Sequence, residues 1–257
     1  MRDIHPTAVV HPETQLGKGV RVGPYAIVGE GVCLGDEVEI GPHSVLEGRL
    51  EVGARCRIFA GAAVGLPPQD LKWTPDIPSG VRIGEGTVVR EYTTIHRATT
   101  PNGWTEIGKN CYLMAQGHVA HDCQIGDEVI MTGFAALTGF VQVGDRAVIS
   151  GMTGIHQYVR IGTLAMVAGC SRVPQDVPPY FMVEGNPPSV RGVNIVGLRR
   201  AGVSSETRLN LQRAFKIIYR SSRTPTAAVA QIRTEIEASP EIEHLCEFIE
   251  SSKRGIC

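Results

Sequence analysis

The sequence predicts an all-β solenoid, a parallel β-helix of hexapeptide repeats, followed by a small α-helical domain. The main observation is a six-residue period: from residue 107 to residue 173 every sixth side chain is aliphatic or methionine. This period fits neither a helix nor an alternating strand, but it is typical of β-helices whose hexads each form one short strand and a turn. Three hexads close one coil, so residue i is expected beneath residue i+18, with coils about 4.8 Å apart. The anchors are Ile107, Leu113, Val119, Ile125, Met131, Leu137, Val143, Ile149, Ile155, Ile161, Val167 and Val173.

Composition agrees with a narrow solenoid and excludes some functions. The 257 residues include 30 Gly and only 5% aromatic residues, which suits a thin interior with tight corners. The net charge of −1 gives no indication of nucleic-acid binding. The chain starts without the apolar segment of a signal peptide, and no apolar run is long enough to span a membrane. We therefore expect a cytoplasmic protein with no stable membrane insertion.

The seven cysteines indicate buried thiols rather than a disulfide framework or a zinc site. The sequence contains no C-x-x-C motif. Cys56, Cys111 and Cys123 occupy the small inward position of a hexad. Thiols in such positions are expected to be unreactive.

The β-helix is predicted to span residues 1–193. Its hexads begin at Ile4 and stay in phase to Val64, which leaves no room for a separate N-terminal domain. The phase breaks at Gly65, and the proline-rich stretch of about residues 66–82 is predicted to be an extruded loop. This loop contains Gln69-Asp70-Leu71-Lys72 and is either functional or a solvated insertion. Hexads resume at Ile83, and residues 99–106 form a second irregular segment before the long regular run.

Residues 194–257 are predicted to form a C-terminal α-helical domain of three or four helices. Apolar residues between Leu209 and Tyr219 have helical spacing. Thr224-Pro225 and Ser239-Pro240 are typical of an N-cap followed by proline at the first helical position. The helices would cover the open edge of the last coil. Residues 195–225 carry seven basic side chains and one acid, which favours an anionic partner, although a solvated helix face is an equal alternative.

The best candidate for catalytic chemistry is the stretch from His118 to Cys123. His121 lies between two inward positions, so it should point outward or lie near a corner, and histidine is the natural general base near neutral pH. Asp122 is the adjacent acid. Because successive strand residues face opposite sides, we do not expect direct contact between Asp122 and His121 within one chain.

The 18-residue rule places further polar groups beside His121. Gly139 and then Gln157 should follow above His121, and His156 should lie above Ala120. Gly139 would offer an unhindered backbone N–H one coil away, as an oxyanion donor requires. A base and an amide without a serine or cysteine nucleophile predict direct acyl transfer.

A second column at 18-residue spacing consists of Ala115, Gly133, Gly151 and Gly169. It would form a smooth groove parallel to the axis, suited to a long apolar chain. The alternative is that corners simply favour glycine.

Taken together, these motifs resemble the family of UDP-N-acetylglucosamine O-acyltransferases that begin lipid A synthesis, over essentially the whole chain. The matching segments are Gln69-Asp70-Leu71-Lys72, Thr94-Ile95-His96-Arg97, His118–Cys123, Gly151-Met152-Thr153, Ile155-His156-Gln157, Gln175–Tyr180 and Gly192-Val193-Asn194-Ile195. The resemblance implies a homotrimer of left-handed β-helices with active sites between subunits and no cofactor or metal. The implied substrates are a 3-hydroxyacyl group on acyl carrier protein, which is an acidic partner, and UDP-N-acetylglucosamine.

The resemblance also implies roles for individual residues. His121 would be the general base, with Asp122 beside it, and the Gly139 N–H would be the oxyanion donor. The residues implied to contact substrate are Gln69, Asp70, Lys72, His118, His156, Gln157, Asn194 and Arg200, to which the groove adds Gly169.

Two positions depart from the family pattern and leave the acceptor open. Phe140 stands where the family usually has a histidine, and Val196 where it usually has an acid. A 3-amino analogue of the sugar is therefore an alternative acceptor, since an amine is the better nucleophile.

Other functions of the same fold are less well supported. The related N-acyltransferase should carry an extra N-terminal domain, and acetyl-CoA-dependent enzymes would not need the smooth groove. A zinc enzyme would need a third histidine beside His118 and His121. A purely structural solenoid would show no turnover with any acyl donor.

Overall fold

The computed structural model describes residues 3–257, and these form 28 short strands followed by four helices. The first strands are β1 (Asp3–Ile4), β2 (Val9–Val10), β3 (Gln15–Leu16), β4 (Arg21–Val22), β5 (Ile27–Val28), β6 (Val32–Leu34), β7 (Glu39–Ile40), β8 (Val45–Leu46), β9 (Arg49–Val52), β10 (Arg57–Ile58), β11 (Ala63–Leu66), β12 (Gly80–Ile83), β13 (Val88–Val89) and β14 (Thr94–His96). The others are β15 (Trp104–Ile107), β16 (Tyr112–Leu113), β17 (His118–Val119), β18 (Gln124–Ile125), β19 (Ile130–Met131), β20 (Ala136–Leu137), β21 (Gln142–Val143), β22 (Val148–Ile149), β23 (Gly154–Ile155), β24 (Arg160–Ile161), β25 (Met166–Val167), β26 (Arg172–Val173), β27 (Phe181–Gly185) and β28 (Pro188–Val193).

The strands build a left-handed parallel β-helix with three faces, as predicted. Each face is a parallel sheet that contains every third strand. Face 1 runs from β1 to β25 and ends in β27 and β28. Face 2 runs from β2 to β26, and face 3 from β3 to β24. The 18-residue register holds where the hexads are regular, so that His118 pairs with Ala136 and Ala136 with Gly154. We name the corners by the faces they join: the 1/2, 2/3 and 3/1 corners.

The hexad anchors form the interior, and most of them are fully buried. The first coil is the exception, because Ile4 is 39% exposed and Val10 and Leu16 are only partly buried. The predicted inward cysteines, Cys56, Cys111 and Cys123, are buried and unpaired. Burial raises the pKa of the Cys56 and Cys111 thiols to about 11.

Two irregular segments interrupt the register, and both leave from the 2/3 corner. The first is the loop of residues 67–79 between β11 and β12, so Leu66 and residues 80–82, predicted as loop, belong to strands. The second is residues 97–103 between β14 and β15, and Trp104 already starts the next strand. Consequently Ala63 pairs with Thr94, and Thr94 with His118, although each pair is further apart in sequence than the 18-residue rule requires.

The chain leaves the β-helix through the antiparallel hairpin of β27 and β28 and ends in four helices. These are α1 (Ile195–Arg200), α2 (Ser205–Arg220), α3 (Pro225–Glu235) and α4 (Pro240–Glu250). Thr224 and Ser239 cap α3 and α4, with proline at the start of each helix, as the sequence indicated. Phe181 and Leu198 lie in a second hydrophobic core with the inner sides of the helices. None of the helices within residues 3–257 is long and apolar enough to cross a membrane.

Candidate active site

His121 and Asp122 form a hydrogen-bonded pair at the 2/3 corner. The Nδ1 atom of His121 lies 2.8 Å from Oδ2 of Asp122, and the two side chains are only 9% and 7% exposed. The expectation that the two would not touch is therefore wrong. It assumed strand geometry, whereas Asp122 is a corner residue with φ of +58°, where the backbone turns and the alternation of side chains does not apply.

The environment of Asp122 keeps its carboxylate ionised. Burial opposes ionisation, but hydrogen bonds from His121, Thr99 and Thr100 outweigh it and hold the pKa of Asp122 well below its usual range. An ionised carboxylate can only accept hydrogen bonds, so the shared proton belongs to Nδ1 of His121. In the neutral imidazole this leaves Nε2 of His121 as the nitrogen without a proton, which is the atom that can accept one.

Gly139 lies directly against the His121 ring, one coil further along the axis. A Cβ at this position would lie 2.6 Å from Nε2 of His121 and still closer to Cε1, so any larger residue would displace the ring. Within residues 3–257 the Gly139 N–H donates no hydrogen bond, whereas the neighbouring Phe140 N–H donates to His121 O at 3.1 Å. The corner thus brings together a base and a free backbone donor, as the 18-residue rule predicted.

Phe140 closes one side of this corner. Its ring meets His121 edge-on at 5.4 Å between centroids and stacks on Tyr158 at 4.9 Å. Beyond these rings, a cavity of about 540 Å³ lies between Asp122 and the C-terminal residues Lys253 and Arg254. A larger groove, of about 760 Å³, runs along the corner glycines of the N-terminal coils, away from His121.

Two further histidines adjoin His121. His118 Nδ1 lies 2.7 Å from Thr94 Oγ1, and its ring meets that of His96 edge-on at 5.2 Å. Burial lowers the pKa of His96 to about 4, and burial also lowers the pKa of His118. Both rings are therefore neutral near pH 7. Among residues 3–257, no group of three or more His, Cys, Asp or Glu side chains is placed to hold a metal ion.

Sequence reasoning did not identify His96 or the two threonines on Asp122 as site residues. His96 belongs to a matching motif but was given no role. Its neighbourhood was hidden because the strands β14 and β17 pair across a longer stretch of chain than the 18-residue rule covers. Thr99 and Thr100 lie in the irregular segment, where no register applies. The one sequence feature that could have indicated their role is the pair of adjacent threonine hydroxyls in a segment that leaves the β-helix at the same corner as Asp122.

His156 and Gln157 lie at the 2/3 corner above Gly139, as expected from the register of β20 and β23. His156 is exposed, and its Nδ1 lies 3.2 Å from Nη2 of Arg254 near the C-terminus. Gln157 is half-buried. Polar side chains thus recur at this corner two coils above His121.

The loop residues leave from the same corner but do not reach His121. Gln69 and Lys72 are exposed, and Asp70 forms a turn in which its Oδ1 accepts the Lys72 N–H at 2.8 Å. No hydrogen bond or ion pair joins this turn to His121 in the described part of the chain. These residues lie in the first half of an exposed loop, where they are accessible to another molecule.

Asn194 and Arg200 lie elsewhere. Asn194 is buried: its Oδ1 caps α1 by accepting the Gly197 N–H, and its Nδ2 donates to Leu164 O at the 3/1 corner. This geometry gives Asn194 a structural role as the N-cap of α1, and its contact with substrate stays a prediction. Arg200 is exposed at the last turn of α1, and Val196 on the same helix is 49% exposed. In the described part of the chain, no hydrogen bond or ion pair joins either residue to His121.

The glycine column lies at the 1/2 corner, across face 2 from His121. A Cβ at Gly133, Gly151 or Gly169 would lie 3.0–3.3 Å from the carbonyl oxygen one coil below. The residues beside these glycines include the exposed Phe134 and Met152. The column is therefore smooth and bordered by apolar side chains, as a groove for an apolar chain would need to be.

Known proteins match the chain over its whole length. Residues 176–257 match the family model described as UDP N-acetylglucosamine O-acyltransferase, domain 2, and residues 13–48 match that of bacterial transferase hexapeptide repeats. The acyl-[acyl-carrier-protein]–UDP-N-acetylglucosamine O-acyltransferase of Thermodesulfovibrio yellowstonii is 46% identical, and the alignment covers 100% of both chains. The enzyme of the same name from Trichlorobacter lovleyi is 48% identical over 99% of this chain and 98% of its own.

Solved structures agree in fold as well as in sequence. The UDP-N-acetylglucosamine acyltransferase of Bacteroides fragilis superposes with a TM-score of 0.96 and 37% identity, covering 98% of this chain and 99% of its own. The corresponding enzyme of Campylobacter jejuni has a TM-score of 0.93 and 37% identity, covering 99% and 98%.

Proposed function

Because the chain belongs to the acyl-[acyl-carrier-protein]–UDP-N-acetylglucosamine O-acyltransferase family, we propose that it transfers a 3-hydroxyacyl group from acyl carrier protein to the 3-hydroxyl of UDP-N-acetylglucosamine. This reaction is the first step of lipid A synthesis. The observation that carries the proposal is the His121–Asp122 pair beside the free N–H of Gly139. These groups supply what direct acyl transfer needs, a base and an oxyanion donor, and the chemistry calls for no cofactor or metal.

In the proposed reaction, Nε2 of His121 removes the proton from the sugar hydroxyl as the oxygen attacks the thioester carbonyl. A C–O bond forms, and the Gly139 N–H stabilises the negative charge that develops on the carbonyl oxygen. Asp122 stabilises the imidazolium through the 2.8 Å contact at Nδ1. When the C–S bond breaks, His121 returns the proton to the leaving sulfur, so the base is regenerated.

A homotrimer would complete the site. The 1/2 corner and the adjoining face 2 expose an apolar stripe that includes Tyr25, Tyr92, Phe134 and Met152. Exposed apolar side chains grouped along one corner are typical of an interface. A second copy packed on it would bring the glycine column of one chain next to His121 of another, which the two corners of a single chain cannot do. Gln69, Asp70, Lys72 and Arg200 would then contact substrate from a neighbouring subunit.

The proposed partners and location follow from the substrates. Acyl carrier protein is acidic, and the helical domain exposes basic side chains at Arg199, Arg200 and Arg213. Electrostatic attraction of this kind steers association. We propose a cytoplasmic location, since both acyl carrier protein and the nucleotide sugar must be supplied to the enzyme.

A 3-amino UDP-sugar is a second candidate acceptor. Phe140 presents an apolar ring to His121 where the resemblance leads one to expect a polar histidine. An amine needs less help from polar groups than a hydroxyl does. This alternative concerns the acceptor atom only and leaves the donor and the catalytic pair unchanged.

One experiment tests donor and acceptor together. The enzyme is incubated with mixed 3-hydroxyacyl carrier proteins of several chain lengths and with both sugars, and the products are identified by mass spectrometry. We expect an ester of UDP-N-acetylglucosamine as the main product. A dominant amide product would favour the second candidate, and the absence of any acylated sugar would refute both.

His121→Ala tests the mechanism. A general base typically contributes about 10²–10⁴-fold, so we expect kcat to fall by that order while the oligomer and its thermal unfolding stay normal. Near-normal turnover in the folded variant would remove His121 from the mechanism.

A further inference from the structure

Asp122 is held by the irregular segment of residues 97–103 as well as by His121. Its Oδ2 accepts the backbone N–H of Thr99 at 2.9 Å and the Thr99 hydroxyl at 2.6 Å. Its Oδ1 accepts the Thr100 hydroxyl at 2.8 Å, with the Thr100 N–H at 3.4 Å. Together with the His121 contact, both oxygens are occupied and the plane of the carboxylate is fixed.

The segment that carries the two threonines is itself anchored. The Arg97 N–H donates to Leu66 O at 3.2 Å, and the Asn102 N–H donates to Pro78 O at 2.6 Å. Between them, the Ser79 hydroxyl donates to Ala98 O at 2.5 Å. These bonds tie the segment to both ends of the loop of residues 67–79, so the threonine donors are in place before any substrate binds.

We propose that Thr99 and Thr100 are positioning residues for the acyl-transfer reaction. They hold the Asp122 carboxylate in the one orientation in which it accepts Nδ1–H of His121 and leaves Nε2 facing Gly139. Neither threonine contacts the reacting atoms in this scheme, because each acts through Asp122. The inference rests on the proposed function, in which His121 is the base.

The alternative is that the threonine bonds only fasten the segment to the β-helix. The two explanations differ in which property of the folded enzyme changes when the Thr99 hydroxyl is removed. A fastening role lowers the stability and leaves kcat unchanged, whereas a positioning role lowers kcat, and only while the Asp122 carboxylate is present. Measuring both kcat and thermal unfolding through a double-mutant cycle between Thr99 and Asp122 therefore separates them.

The test compares Thr99→Val and Thr99→Ser in the wild-type background and in Asp122→Ala. Valine keeps the shape but removes the hydroxyl donor, and serine keeps the donor. We expect Thr99→Val to lower kcat on the order of 10-fold, with the KM for the nucleotide sugar unchanged and serine restoring the rate. In Asp122→Ala, the further change Thr99→Val should have no effect on kcat.

Thr87→Val is the matched control. Thr87 is fully buried at the 3/1 corner, where its hydroxyl donates to Gly108 O at 2.8 Å and accepts the Cys111 N–H at 3.0 Å. The change therefore removes side-chain hydrogen bonds of a buried threonine away from the site, and it tests for a general effect of losing them. We expect its kcat to equal that of the wild type. If Thr99→Val does not fold, Thr100→Val replaces it, because Thr100 is exposed and donates to the other carboxylate oxygen.

The outcomes keep this inference separate from the proposed function. Wild-type kcat in folded Thr99→Val, or an equal loss with and without Asp122, would overturn the positioning role while leaving His121 as the base. If His121→Ala and Asp122→Ala also keep full activity, the catalytic pair itself is wrong.

Discussion

Gly139→Ala tests the central contact of the site. The added Cβ would lie 2.6 Å from Nε2 of His121 and closer still to Cε1, and ordinary contacts between such atoms begin near 3.4 Å. The methyl group is fixed to the backbone of residue 139, so the His121 ring must move away by about 1 Å. A shift of this size exceeds the margin between the 2.8 Å bond to Asp122 and the roughly 3.5 Å limit of a hydrogen bond. Misplacing a catalytic group by about 1 Å can cost roughly 100-fold, and we expect kcat to fall at least that far.

The assay is steady-state kcat with acyl carrier protein donor and UDP-N-acetylglucosamine, alongside thermal unfolding. Gly139 is outside the left-handed region, so alanine adds no backbone strain and the fold should persist. Gly133→Ala is the control: its Cβ would lie 3.3 Å from Ala115 O, in a column where Ala115 already carries a methyl group. It should lose much less activity. A folded Gly139→Ala enzyme with near-normal kcat would refute the placement of the His121 ring against residue 139 during catalysis.

Three further changes probe the acceptor, the donor and the buried histidine. Phe140→His should raise kcat/KM for the 3-hydroxy sugar relative to the 3-amino sugar, because it adds a polar group beside His121; an unchanged ratio would show that residue 140 does not discriminate. Gly169→Met should favour a shorter acyl donor by roughly 15-fold to 60-fold, because it would displace two or three methylenes of a long chain at about 0.8 kcal/mol each. Competition between long and short acyl donors measures this preference. The pKa of His96 is about 4 in the folded protein, whereas its ordinary value of 6.5 applies to the unfolded chain. Between these pH values the unfolded chain binds the extra proton, so the free energy of unfolding falls by about 3 kcal/mol as the pH drops through this window. Urea unfolding of the wild type and of His96→Gln, each at pH 7 and pH 4.5, should therefore show a smaller decrease in the free energy of unfolding for the variant. Equal decreases would contradict the low pKa of His96.

The parts of the fold that repeat could be predicted from the sequence. Inward anchors such as Val119 and Leu137 are set by the hexad period alone, and the register of 18 follows from three hexads per coil. The same arithmetic correctly predicts that Gly139 lies next to His121. It works because each coil of a solenoid contacts only its neighbours, so one local rule repeats along the axis.

What could not be predicted lies where the repeat stops. The contact of His121 with Asp122 depends on the positive φ of Asp122 at a corner, and the alternation of side chains along a strand does not apply to corner residues. The threonine donors come from a segment whose path is set by hydrogen bonds to Leu66 and Pro78, which no period reveals. The role of Asn194 as the N-cap of α1 follows from its position where the repeat has ended, and the hexad period gives no sign of it.

The two irregular segments have a consequence for how this chain tolerates changes in length. Both occur at the 2/3 corner, where the partners Ala63, Thr94 and His118 are separated by more chain than one regular coil contains, yet the strands on either side remain paired. Extra residues at this corner therefore leave the phase of every later hexad untouched. Between His121 and Gly139, by contrast, one added residue would shift all inward side chains, so only whole coils could be gained or lost there. The chain thus combines a corner at which loops can change in length with a scaffold whose length changes only in complete coils, and the proposed base lies at that corner.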